Sequence, residues 1–227
     1  MKYEIIGEPY PAVVCHLQRG EQMKTEKGSM VWMDPVMNME TNTGGGGGIG
    51  KMFGRVLSGE SMFQNVYTAQ ADGMIAFGSS FPGQILPIQI QPGQDFIAQK
   101  MAFLASEMGV ALDTFFSQKL SGGFFGGEGF IMQRLSGQGM VFLECDGSLV
   151  RYELAPGQSM VVDTGNVLGF TGDVSLRVEK IKGVKNVMFG GEGLFNTVLT
   201  GPGTIYLQTM PLANIADVIA AHMPTTN

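Results

Sequence analysis

GGEGFIMQRLSGQGMVFL, residues Gly126 to Leu143, returns as GGEGLFNTVLTGPGTIYL, residues Gly190 to Leu207. Gly126 falls on Gly190 and Leu143 on Leu207 with no gap between, and eight of the 18 columns are identical. The same register, carried upstream without a gap, places Pro92-Gly93-Gln94 on Pro156-Gly157-Gln158 and Val110 and Leu112 on Val174 and Leu176. From Pro92 to Leu143, 15 of 52 columns match. A glycine-rich composition inflates chance matches, but it does not hold Pro, Gln, Glu and Leu in one register. Self-similarity at a constant period marks a chain built from stacked supersecondary units.

A third, more diverged copy precedes these two. Gly59-Glu60-Ser61-Met62-Phe63 aligns with Gly127-Glu128-Gly129-Phe130-Ile131, and Gly73-Met74-Ile75 with Gly139-Met140-Val141. Arg19-Gly20-Glu21 stands where the later copies have Pro-Gly-Gln. The stretch from Gly20 to Gly59 is longer by five than those from Gly93 to Gly127 and from Gly157 to Gly191, and the run Gly44–Gly48 absorbs the difference. The reading is therefore three β-units, 1–78 with a Gly-rich insert, 79–146 and 147–209, followed by a C-terminal helix and tail over 210–227. The repeated motif comprises Gly59-Glu60, Gly127-Glu128, Gly191-Glu192 and the Gly201-Pro202-Gly203 turn. Its glutamates are expected to accept charge-assisted hydrogen bonds from backbone N–H groups in the glycine turns.

Each unit reads as strands. Val150, Tyr152 and Leu154 alternate with Arg151 and Glu153; Val174, Leu176 and Val178 alternate with Ser175, Arg177 and Glu179. A period of two with β-branched residues means half-buried strands. Asp146-Gly147 between MVFLE and LVRYE predicts a tight hairpin, because the turn needs positive φ. The Pro-Gly-Gln segments are turns leading into strands. Many short strands with Gly/Pro punctuation fit a sandwich, a barrel or a β-helix-like assembly. One helix is expected at the end of the chain: Leu212, Ile215, Ala216, Ile219, Ala220 and Met223 fall on one face, which should dock on a core.

Composition narrows the function classes. Glycine supplies 34 of 227 residues, and only 15% are charged, against roughly a quarter in typical domains. The 44% apolar content excludes a disordered tail protein. A net charge of −6 runs against a nucleic-acid binder that works by phosphate neutralisation. The N-terminal MKYEIIGEPYPAVV lacks a secretory apolar stretch, an Arg/Ser-rich transit character is missing, and no apolar run reaches membrane-spanning length. The expectation is a cytoplasmic protein whose two cysteines, Cys15 and Cys145, are buried thiols.

Catalytic and metal chemistry find little support. Gly45-Gly46-Gly47-Gly48-Ile49-Gly50-Lys51 fits the spacing GxxxxGK, but Met52 stands where a phosphate loop needs Ser or Thr to hold Mg²⁺. This run is read as an inserted loop. His16 and His222 are the only histidines, too few and too far apart for a ligand set. Cys15 and His16 are adjacent on a strand, so they point to opposite faces and do not form a nucleophile–base pair. No catalytic, cofactor-binding or metal-ligating residues are assigned, and no cofactor is expected. The candidate interaction surface is Phe124-Phe125, bracketed by glycine pairs, together with the Gly44, Gly45, Gly46, Gly47 and Gly48 run. An apolar loop tip of this kind suits a subunit interface or a membrane surface.

The GGEGLF…LTGPG…LQTMP run from Gly190 to Pro211, the SGES block at Ser58–Ser61 with the Gly-rich insert before it, and VVDTGNVLGF at Val161–Phe170 together carry a family resemblance. Over nearly its whole length the chain resembles the altered inheritance of mitochondria protein 24 family, whose bacterial and archaeal members have no known function. The resemblance implies an all-β fold of three tandem double-stranded β-helix repeats in one compact unit. Such units are similar to the tryptophan RNA-binding attenuation protein, whose domains associate into rings. It further implies a homo-oligomer, with a homotrimer of nine units in a ring favoured. It brings no catalytic residues, and RNA binding does not transfer onto an acidic chain. Two function classes follow: a non-catalytic oligomeric scaffold or interaction protein, associating with a protein partner or membrane surface, and a small-ligand binder or enzyme using a cavity in a β-unit or on the ring axis.

Overall fold

The computed structural model describes residues 1–25, 28–42, 64–118, 129–180 and 195–222. Among them are nineteen strands in four antiparallel sheets and one α-helix, α1 (Leu212–His222). Sheet 1 has the order β1 (Lys2–Ile6), β2 (Ala12–Leu17), β7 (Gly73–Gly78), β4 (Met30–Met33). Sheet 2 runs β5 (Met37–Asn42), β6 (Gln64–Ala69), β3 (Gln22–Thr25), β10 (Phe103–Glu107), β13 (Gly139–Asp146), β8 (Gly83–Ile90). Sheet 3 runs β11 (Val110–Gln118), β12 (Phe130–Gly137), β9 (Phe96–Gln99), β16 (Val167–Thr171), β19 (Gly203–Gln208), β14 (Leu149–Leu154). Sheet 4 is β15 (Ser159–Asp163), β18 (Phe195–Thr200), β17 (Ser175–Lys180).

Three apolar clusters separate these layers. Val13, Cys15, Ile75 and Phe77 of sheet 1 meet Tyr67, Leu104 and Phe142 of sheet 2 in the first. Val141, Leu143 and Cys145 of sheet 2 meet Phe96, Ala98, Leu135 and Leu168 of sheet 3 in the second. Ile97, Phe130, Met132, Phe170 and Ile205 of sheet 3 meet Val162 and Leu199 of sheet 4 in the third. Strand β13 shows how one strand serves two cores: Phe142 points one way, Val141 and Leu143 the other, as the two-residue side-chain period dictates. Sheets 2 and 3 are thus apolar on both faces, and sheets 1 and 4 close the stack.

Strands related by the sequence repeat occupy equivalent places. In the register that sets Gly126 on Gly190, Phe103–Glu107 shifts onto Val167–Thr171, strand for strand, and the 3₁₀ turn Lys100–Ala102 onto the 3₁₀ turn Thr164–Asn166. The pairings shift with them: β8·β13 and β14·β19, β9·β12 and β15·β18, β10·β13 and β16·β19, β11·β12 and β17·β18. The first strand set, 1–78, uses the same connectivity in β2·β7, β3·β6, β4·β7 and β5·β6, with β1 added on the outer edge of β2. Strands β4, β10 and β16 each carry a bulge at the same point, between Met30 and Trp32, Phe103 and Ala105, and Val167 and Gly169. Gly20, Gly93 and Gly157 have φ of +90°, +79° and +77°, the left-handed conformation that favours glycine in the turn before a strand.

Three expectations are corrected. Asp146-Gly147 does not close a hairpin, although Gly147 has the required positive φ, +76°. Strand β13 already has β8 on one side and β10 on the other, so β14 crosses into sheet 3 and pairs with β19. Helix α1 does form and ends at His222, but its apolar side is not docked at Leu212 and Ile219, which are 40% and 56% exposed. Tyr152, expected to be half-buried, is exposed, while Leu154 on the same strand is buried.

Candidate interaction surface

Two inner junctions join the strand sets, and they are built alike. Strand β3 pairs with β10, placing Lys24 opposite Ser106 and Met23 opposite Glu107. Strand β9 pairs with β16, placing Ala98 opposite Gly169, Ile97 opposite Phe170 and Phe96 opposite Thr171. In each junction the second strand of one set meets the third strand of the next. Among the described residues that pattern leaves two strands without this partner: β4, the third strand of the first set, and β15, the second strand of the last.

Both open strands are apolar where their counterparts are buried. Val161 on β15 is 63% exposed, while Ile97 at the same place on β9 is fully buried. Val31 and Trp32 on β4 are 55% and 40% exposed, while Leu104 and Ala105 on β10 are buried. Three of the other edge strands carry features that discourage pairing between molecules. β8 has Pro87, β14 has Arg151 and Glu153 in contact, and β17 has Arg177 and Glu179 paired at 2.8 Å. β4 carries no charge, and β15 carries only Asp163 at its end.

The residues singled out from the sequence fall into two groups. Phe124, Phe125, Gly44–Gly48, Gly59, Glu60, Gly127, Glu128, Gly191 and Glu192 lie outside the described residues. The Gly201-Pro202-Gly203 turn joins β18 to β19 and packs against the Pro156-Gly157-Gln158 turn. Gly201 donates its N–H to the Gln158 carbonyl at 2.9 Å, and Gly157 donates to the Gly201 carbonyl at 3.2 Å. A Cβ on Gly201 would lie 2.6 Å from the Leu154 carbonyl oxygen and 2.7 Å from that of Ala155, so only glycine fits beside the end of β14. Val31, Trp32 and Val161 escape a reading of motifs. The signal available for them is negative, the scarcity of charge on two short strands, with none on β4 and only the terminal Asp163 on β15.

Reactive side chains are few on this scaffold. Cys15 and Cys145 are free and buried. Burial pushes both thiols up to about 12, with Glu107 adding to the effect at Cys15 and Asp146 at Cys145. Buried thiols of this kind are poor nucleophiles. His16 sits on the exposed face of β2 with Nε2 3.6 Å from Glu4 Oε1, turned away from Cys15. Among the described residues no group of three or more His, Cys, Asp or Glu side chains is placed to hold a metal ion. A cleft of about 710 Å³ is lined by Lys2, His16, Glu21, Asp34 and Asp72. Its carboxylates are engaged by backbone donors: Asp34 Oδ2 accepts the Met74 N–H at 2.8 Å, Asp72 Oδ1 that of Arg19 at 2.9 Å, and Glu21 Oε2 that of Gln18 at 2.8 Å.

Layered antiparallel sheets, with one terminal helix among the described residues, define an all-β protein. The chain belongs to the family described as mitochondrial biogenesis AIM24, whose model matches residues 3–210. It is 29% identical over 225 residues to the uncharacterized protein M6_Spy0233 of Streptococcus pyogenes, covering 96% of this chain and 89% of that one. Its fold is similar to the crystal structure of protein SPYM3_0169, also from Streptococcus pyogenes, with a TM-score of 0.80 at 24% identity over 98% and 99% of the two chains. No helix among the described residues is long and apolar enough to cross a membrane.

Proposed function

We propose that the protein is a non-catalytic, homo-oligomeric scaffold or interaction protein of the cytoplasm. In this reading the sets 1–78, 79–146 and 147–209 are three tandem double-stranded β-helix units, like those of the tryptophan RNA-binding attenuation protein, and a homotrimer is the favoured assembly. The observation that carries it is the pair of open apolar strands, β4 and β15, at opposite ends of the strand sets. A mostly apolar strand edge left unpaired among the described residues is a template for another chain, so its place in this fold is accounted for if another chain covers it. The net charge of −6 supports a partner other than nucleic acid. Static light scattering at micromolar concentration tests the reading. A mass of three chains is expected, and a monomer overturns it. Proteins or phospholipids retained through purification would then identify what the scaffold holds.

The cleft beside β1 and β2 supports a second reading, a small-ligand binder. The scaffold is preferred because each acidic side chain there already accepts a backbone N–H. Binding of a small polar ligand by calorimetry, lost in Asp34→Ala but not in a remote variant, would favour the cleft.

A further inference from the structure

Resting on the scaffold reading, we infer that copies join head to tail, strand β15 of one chain pairing antiparallel with β4 of the next, with Val162 opposite Trp32 and Val161 opposite Met33. The register follows from the inner junctions. Ala98 faces Gly169 and Ile97 faces Phe170; the repeat register, Pro92 on Pro156, carries Ala98 and Ile97 onto Val162 and Val161. The β-bulge and the shared pairing with the neighbouring strand carry Gly169 and Phe170 onto Trp32 and Met33, since Gly169 faces Tyr206 and Trp32 faces Ala76 at the same rung.

The side-chain directions agree with this register. Partners in a β-ladder lie on the same face of the sheet. Val162 points into the third core, so Trp32 of the neighbouring chain would extend that core alongside it. Met33 packs on the first core, so Val161 would extend the neighbour's first core, as Ile97 enters the third core across the inner junction. Sheet 4 of one chain and sheet 1 of the next would then form one continuous sheet, like sheets 2 and 3. The large exposed residues of both strands would move from water into apolar surroundings, which favours association.

Trp32 also selects the partner strand. It occupies the place of Ala105 and Gly169, where a Cβ on Gly169 would lie 2.6 Å from the Phe96 ring. Strand β4 therefore cannot replace β16 beside β9. Beside β15 the residue corresponding to Phe96 is Met160, an unbranched side chain that repacks readily. The contact uses two different surfaces, so it is heterologous, and it closes into a ring or extends into a filament.

Complementation tests the pairing. Val161→Lys places a charge on the β15 edge and Val31→Lys on the β4 edge, both at positions already more than half exposed in the single chain. By size exclusion with light scattering, each variant alone should fall to one chain, with an unchanged far-ultraviolet dichroism spectrum. A one-to-one mixture should give a species of two chains and nothing larger, because only one good edge of each kind remains. As a second measurement, a Met33→Cys chain mixed with a Val161→Cys chain should form a covalent dimer under a mild thiol oxidant, and neither should do so alone. The buried Cys15 and Cys145 leave the introduced thiols as the accessible ones among the described residues. Edge variants that keep the wild-type mass, a mixture that stays monomeric, or Val161→Cys chains that cross-link to themselves overturn the pairing while leaving an oligomeric scaffold standing. A monomeric wild type overturns the scaffold reading itself.

Discussion

Replacing Gly169 by alanine probes the tightest point of an inner junction. The new Cβ would lie 2.6 Å from the Ile97 carbonyl oxygen and 2.6 Å from Phe96 Cε1. Ordinary contact is about 3.5 Å, so β9 or the ring must withdraw by roughly 0.9 Å. Phe96 has little room: it is buried in the second core, and its ring meets Tyr206 edge-on at 5.3 Å. The carbonyl belongs to a strand paired on both sides, with β12 and β16. Overpacking of this kind costs about 1–3 kcal/mol, and the backbone clash argues for the upper end. Lower unfolded-state entropy of alanine returns about 0.4–1 kcal/mol, leaving a net loss of about 2 kcal/mol. For a chain of this length each kcal/mol is worth about 2–4 °C, so the melting temperature should fall by about 4–8 °C. Differential scanning calorimetry reads this directly. Gly28→Ala, which meets nothing within 4 Å, serves as the control and should be unchanged or slightly stabilised. A Gly169→Ala protein that melts within a degree of wild type would refute the close-packed junction.

Three further outcomes follow from side-chain environments. Cys15 and Cys145, pushed up to about 12 by burial, should resist a thiol reagent at pH 8 in the native protein and react fully in denaturant; rapid native labelling would contradict their burial. Burial raises the Asp146 carboxyl above its ordinary value, opposed by the Leu212 N–H that it accepts at 2.9 Å and reinforced by Glu144. The folded state therefore holds that proton more tightly than the unfolded chain, and stability falls as pH rises through the window between the two values. Asp146→Asn keeps an acceptor for Leu212, so its melting temperature should gain on wild type as pH rises through that window and hold the gain to neutrality, and a pH-independent difference across the window would count against the assignment. Glu144 Oε2 accepts the Ser80 N–H at 2.7 Å, the Ser80 hydroxyl at 2.8 Å and the Ser79 hydroxyl at 3.1 Å, tying down the β7–β8 connection. Glu144→Ala should cost about 1–3 kcal/mol, seen as a lower urea midpoint with an unchanged slope; an unmoved midpoint would remove the carboxylate from that role.

Turn positions were readable because they depend on short-range chemistry. Gly93 and Gly157 stand in equivalent left-handed turns, and the strands after them begin where the Pro-Gly-Gln segments predict. The same local logic misplaced Asp146-Gly147, because a turn's φ does not name the strand that comes next. β13 had its edges taken by β8 and β10, whose residues lie far back in the chain. Helix α1 was legible as a helix, but its docking was not, since a periodic apolar face carries no record of whether a surface awaits it. The candidate surface was the least legible part. Val31, Trp32 and Val161 look like ordinary strand residues, and only their place in the strand order makes them exceptional.

The amino-acid sequence by itself determined the all-β class and the correspondence between its repeated segments, because turn preference and side-chain alternation act over a short stretch of chain. Which strand pairs with which, how three cores come to lie between four sheets, and that β4 and β15 are left on open edges were decided only in the tertiary structure. Sheet pairing joins residues far apart in the chain, and each edge can be filled only once, so exposure at β4 and β15 is a property of the whole arrangement of sheets.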